Sequence, residues 1–153
     1  MTTTTPGHTP GFLVWRLSMK WRVAVDRALA PLGLTHAQYS LLASLYGMRR
    51  TGVRPSQRQL ADHAGLEALY VSKLARSLEA SGLMLRTADP DDTRAVQLSL
   101  TDQGAEKTRE AITLVHHLHD RMLAPLGGRD DPRTAAFTRD LDALLAAPLD
   151  EPA

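Results

Sequence analysis

The 153-residue chain contains no cysteine, and this one absence removes disulfides, thiolate metal sites and thiol-based redox switches together. Aromatic residues are scarce at 5%, while 43% of the chain is hydrophobic, chiefly Leu, Ala and Val; that balance favours packed helices over an extended sheet. Long apolar runs are missing too. The run at residues 12–15, like every other in the chain, is far too short to cross a bilayer, and the N-terminal stretch MTTTTPGHTPG lacks the basic start and apolar body of a signal peptide. A cytoplasmic protein with no membrane partner is expected. No glycine-rich phosphate loop, His-Glu-x-x-His or Gly-x-Ser-x-Gly occurs, so the chain is not expected to be an enzyme or to carry a cofactor.

Net charge is only +1, a sum that taken alone argues against a nucleic-acid partner. Its distribution says more. Residues 49–86 carry seven basic side chains against three acidic ones, whereas residues 101–153 carry six against ten. The positive charge collects on one segment, although a local excess of this size is also ordinary surface patterning.

That segment opens the most informative stretch, residues 60–104, which reads as two helices joined by a tight turn and then a hairpin with a charged tip. In a helix-turn-helix the first helix braces the second across a sharp bend, so the packed positions must be apolar and the crossing point small. Leu60, Ala64, Leu66, Val71 and Leu74 fall at the packed positions, Ala61 near the crossing, and Gly65 at the turn, where a left-handed residue ends the first helix. Ser81 and Gly82 stop the second helix. Val96, Leu98 and Leu100 then alternate with polar residues as a half-buried strand, and residues 83–87 can pair with it across the tip ADPDDTRA.

On the N-terminal side, residues 1–10 read as a disordered tail, and apolar residues at helical spacing predict a helix from Phe12 to about Leu32, with Leu13, Leu17, Trp21, Val25 and Leu29 on one stripe. Thr35 with Gln38, and Ser56 with Gln59, are capping boxes that start two further helices, separated by a basic loop at residues 49–55. After the hairpin, a helix from Thr101 to about Leu126 and another from Pro132 to about Ala147 are predicted, the latter closed by Pro148. Helices this long and apolar at both ends need a partner to cover them, and pairing of two copies would supply it.

The segments VSKLARSLEASGL and DPDDTRAVQLSLTDQG resemble the recognition helix and the wing of the MarR family of winged-helix regulators, and the order of elements agrees over roughly residues 12–147. The resemblance implies a mainly α fold with a small β-hairpin wing. It also implies a tail at 1–10, an N-terminal dimerisation helix at 11–34, a winged helix-turn-helix at 35–100, C-terminal dimerisation helices at 101–147 and a tail at 148–153. By the same resemblance the protein is a homodimeric, ligand-responsive repressor that binds double-stranded DNA at a pseudo-palindromic operator. In the family the acidic residue two before the wing arginine helps hold it, and Leu-Thr-x-x-Gly closes the wing onto the long helix; here these are Asp92, Arg94, Leu100, Thr101 and Gly104. The chain departs from the family in having Glu67, a weak cap, at the start of the recognition helix.

The expected DNA-binding residues are Arg54, Ser56, Ala68, Leu69, Tyr70, Ser72, Lys73, Arg76, Asp92 and Arg94. Ser72 and Lys73 suit phosphate or guanine, Tyr70 a phosphate or a thymine methyl, and Arg94 a narrow minor groove. The weaker alternative for Arg94 is a turn residue paired only with Asp91 or Asp92, and Arg49, Arg50, Arg54 and Arg58 are each as readily solvated surface as phosphate contacts. Trp15, Trp21 and Tyr39 sit where the family lodges small aromatic effectors, with core packing as the stronger reading. His116, His117 and His119 invite a metal reading, but a firm zinc site would add Cys or carboxylates, so no metal is expected. Two competing functions stay open: a winged-helix module for protein–protein assembly without DNA, and a metal-responsive regulator on the same fold.

Overall fold

The computed structural model describes residues 7–149. Helix α1 (Pro10–Leu29) begins where Thr9 accepts a hydrogen bond from the Phe12 N–H at 3.3 Å and Pro10 takes the first helical turn. Thr and Pro suit these positions because one satisfies an orphan donor and the other has none to lose. The expected disordered tail therefore fails at residues 9 and 10, while its first six residues lie outside the described ones. A 3-10 turn, Ala30–Leu32, ends α1.

Helix α2 (His36–Arg50) and helix α3 (Gln57–Ala64) both start with the predicted capping boxes, Thr35 with Gln38 and Ser56 with Gln59. The first of these helices runs two residues further than expected, taking in Arg49 and Arg50. Cations in the last turn face the negative end of the helix dipole, which favours the extension. Asp26 ties α1 to α2: its carboxylate accepts the His36 backbone N–H at 2.7 Å.

Burial holds the imidazole of His36 below its usual pKa of 6.5, an effect opposed by Asp26 and reinforced by Arg22. The unfolded chain then binds more protons than the folded one in the window below pH 6.5. Stability from this group is present above that value and is lost as the pH falls toward the lowered pKa. Urea titrations from pH 7.5 down to about 5 should show the unfolding midpoint dropping, and His36→Asn should flatten that slope; an equal slope in both proteins would assign the effect elsewhere.

Helix α4 (Ala68–Ala80) follows α3 across Gly65, whose φ of 68° is left-handed and whose turn is closed by a 3.0 Å bond from the Leu66 N–H to the Ala61 carbonyl. Leu60, Ala61 and Val71 are buried at the crossing as expected, joined by Ala75 and Leu78, while Ala64, Leu66 and Leu74 are half-buried. Strands β1 (Met84–Ala88) and β2 (Val96–Leu100) form the antiparallel hairpin, with Met84 opposite Leu100 and Ala88 opposite Val96. The other edge of β2 is also engaged. Ser56 bridges Gln97, and the Pro55 carbonyl accepts the Leu98 N–H at 3.0 Å, so the hairpin is pinned to the segment that opens α3.

Helix α5 (Asp102–Met122) leaves the hairpin through Thr101. Its hydroxyl donates to the Gly82 carbonyl at 2.7 Å and accepts the Gly104 N–H at 2.9 Å. Gly104 is packed so closely that a Cβ there would collide with the Leu83 carbonyl. The chain divides into two compact units after Val115. The first holds a core of Val25, Leu29, Leu41, Leu42, Leu60, Leu78 and Leu98, all buried. In the second, helix α6 (Pro132–Ala146) starts at Asp131, whose carboxylate accepts the Arg133 N–H at 2.8 Å.

Candidate nucleic-acid interface

On α4 the buried residues Val71, Ala75 and Leu78 define one face, and helical spacing puts Leu69, Lys73 and Arg76 on the opposite one, at i, i+4 and i+7. All three are exposed, and Leu69 retains 71% of its surface. Tyr70 flanks this stripe at 42% exposure, Ala68 is exposed on the other side, and Ser72 is half-buried. Of the expected recognition residues, Leu69, Lys73 and Arg76 share the outward face, with Ser72 at its margin and Tyr70 and Ala68 further out, Tyr70 on one flank and Ala68 on the other. Glu67 occupies the cap position without any side-chain capping bond.

The hairpin tip is held through its backbone. Asp89 and Asp92 act as local acceptors: Asp89 takes the Asp91 N–H at 2.8 Å and Asp92 takes the Arg94 N–H at 3.0 Å, while the Ala95 N–H bonds the Asp92 carbonyl at 3.0 Å. These short-range bonds suit Asp in turns. The Arg94 guanidinium forms no salt bridge among the described residues, so its relation to Asp92 runs through its main chain and leaves its charge outward.

Between tip and helices runs a groove of about 510 Å³ lined by Ser56, Arg58, Ala68, Asp92 and Arg94, with Gln57 at its base. Four of the ten expected contact residues meet here. Gln57 was not anticipated, and its amide oxygen is buried with no hydrogen-bond partner. Arg54 lies elsewhere, with Arg49 and Leu85 around a separate cavity of about 460 Å³ bordered by both strands of the hairpin. Arg49 itself approaches Asp102 at 3.7 Å, an exposed pair of little energetic weight.

The proposed effector aromatics are not gathered within the chain. Trp15, 63% exposed, lines a shallow groove on α1 with Phe12, Met19 and Val23, and neither Trp21 nor Tyr39 borders it. Both of those are half-buried, and burial raises the pKa of Tyr39. His116 and His117 are exposed and His119 is half-buried; among the described residues no group of three His, Asp or Glu is arranged to hold a metal ion. No helix among them is long and apolar enough to cross a membrane.

A braced helix with an outward cationic stripe, beside a hairpin with an unpaired arginine at its tip, defines a winged-helix DNA-binding protein. Residues 34–96 match the MarR family. The chain is 37% identical over 119 residues to the HTH-type transcriptional regulator YdcH of Bacillus subtilis, covering 78% of this chain and 81% of that one. It is 31% identical over 134 residues to the HTH-type transcriptional repressor Rv2887 of Mycobacterium tuberculosis, covering 88% and 91%. Among solved structures it resembles the repressor CouR bound to a 23-mer DNA duplex, with a TM-score of 0.78, 27% identity and coverage of 94% of this chain and 99% of that one. CouR from Rhodococcus jostii RHA1 bound to p-coumaroyl-CoA gives a TM-score of 0.78 at 25% identity, covering 98% and 100%. The chain belongs to the MarR family of transcriptional regulators.

Proposed function

We propose that this regulator is a cytoplasmic repressor that binds a pseudo-palindromic operator as a homodimer and is released by a small aromatic effector. The observation that carries the reading is the outward stripe of α4 beside a wing whose arginine forms no salt bridge among the described residues. In this reading residues 35–100 form the DNA-binding region. Lys73 and Arg76 reach phosphates or guanine edges from α4, with Ser72 beside them, and Ser56 holds the sugar-phosphate backbone. Asp92 positions the tip from which Arg94 enters the minor groove, where the potential is most negative.

Homodimerisation is supported by apolar surface that a lone chain leaves wet. Phe12, Trp15, Met19 and Val23 are exposed along α1, as are Leu141, Leu144 and Leu145 on α6. Patches of this kind mark interaction surfaces, and a second copy covers both by two-fold symmetry, setting the recognition helices about 34 to 36 Å apart. Release follows if an effector favours a dimer with another spacing. Trp15, Trp21 and Tyr39 are the residues assigned to that effector.

Fluorescence anisotropy against intergenic duplexes from the protein's own locus, at 50 and 200 mM salt, tests the reading. Affinity should fall on the order of a thousandfold across that range if about six phosphates are contacted. Salt-independent or undetectable binding would leave a protein–protein module as the better account.

A further inference from the structure

We infer that Leu69 reads thymine methyl groups in the major groove, so that each operator half-site carries an essential thymine opposite the first turn of α4. The inference rests on the DNA-binding reading above. Leu69 heads the same stripe as Lys73 and Arg76, opposite the buried face of α4, so whatever surface those two cations approach must also meet this leucine. The N-terminal residues of a recognition helix are the ones that contact base edges, and Leu69 is the second residue of α4. At 71% exposure it is a large apolar side chain that the fold itself leaves uncovered. Ala68 and Tyr70, both exposed, widen the apolar patch around it.

A leucine can neither donate nor accept a hydrogen bond. The one feature of the major-groove edges that it can recognise favourably is the C5-methyl of thymine. Placed against the exocyclic amine of cytosine or the N7 and O6 acceptors of guanine, it would strip water from those groups and offer nothing in return. One side chain therefore favours thymine and disfavours a G·C pair at the same step. The polar residues of the stripe supply grip, and the apolar one supplies discrimination.

The test starts from a duplex selected by the wild-type protein out of a random pool, with each thymine then replaced singly by deoxyuridine, which lacks only the methyl. Affinity of the wild type should drop about fourfold at one or two positions per half-site, the worth of one buried methyl. Leu69→Ala, which keeps good helix propensity, changes both protomers at once, so it should lose about the square of that factor, roughly fifteenfold, on the unmodified duplex and then be indifferent to deoxyuridine at those same positions. Selective binding that ignores every deoxyuridine replacement, or losses from protein and DNA changes that simply multiply, would overturn the inference while leaving the DNA-binding reading intact. Failure to select any duplex would overturn both, and the two failures are thereby told apart.

Discussion

Arg94→Ala is expected to weaken operator binding by about two to four orders of magnitude, the range for losing a charge-assisted hydrogen bond in each half of a dimer. Its thermal unfolding should be nearly unchanged. Both expectations come from the way the tip is built: its turns are held by main-chain donors to Asp89 and Asp92, and the Arg94 side chain makes no hydrogen bond or salt bridge among the described residues. Removing the guanidinium takes charge from the DNA side without loosening the hairpin. Arg94→Lys should restore part of the affinity, since a point charge keeps the attraction but loses the planar fork. Asp92→Ala separates the two roles, because it removes the acceptor that fixes the Arg94 backbone and so weakens binding with Arg94 still present. Operator affinity of Arg94→Ala equal to the wild type would discard the minor-groove assignment.

Gly104→Ala should destabilise the fold by about 3 kcal/mol, at the upper end of the usual overpacking range. The sign is the informative part. In an ordinary helical position the same change stabilises by up to about 1 kcal/mol, because alanine loses less backbone freedom. Here the added methyl meets the Leu83 main chain, which cannot swing away as a flexible side chain would. Leu83 also accepts the Thr101 N–H at 3.2 Å, and Thr101 bonds Gly82, so any retreat pulls on the junction of α4, the hairpin and α5 together. Urea unfolding followed by circular dichroism measures the change, and an unfolding midpoint at or above that of the wild type would show that the junction yields more easily than this packing implies.

Features governed by neighbours in sequence were legible from the residues alone. The boxes at Thr35 and Ser56, the left-handed Gly65 and the period-two pattern of β2 each involve partners within a few positions, and the structure forms all of them. What escaped the reading was non-local. Nothing in the string RPSQ announces that the Pro55 carbonyl and Ser56 will pair with the middle of β2, since the bonds run through backbone atoms that every residue possesses. That pairing is what brings Gln57 and Arg58 into the groove beside Arg94, and only their place just after a cap, next to a wing, hinted at it. Arg54 was grouped with the contact residues by charge, yet it faces a different cavity. Trp15 and Trp21, six residues apart on one helix, point about 120° away from each other, so a pocket shared within a single chain was never available to them.

The bare apolar flank of α1 has a consequence for how much of the protein a cell must hold. For a chain whose greasy side is covered only by its twin, each tenfold rise in concentration adds roughly 1.4 kcal/mol to the free energy of pulling the pair apart. Scarce copies lose their place on the chromosome and, at the same moment, the shelter that keeps them from proteases. If the chain is the dimeric repressor proposed above, repression and survival of the protein share one dosage threshold.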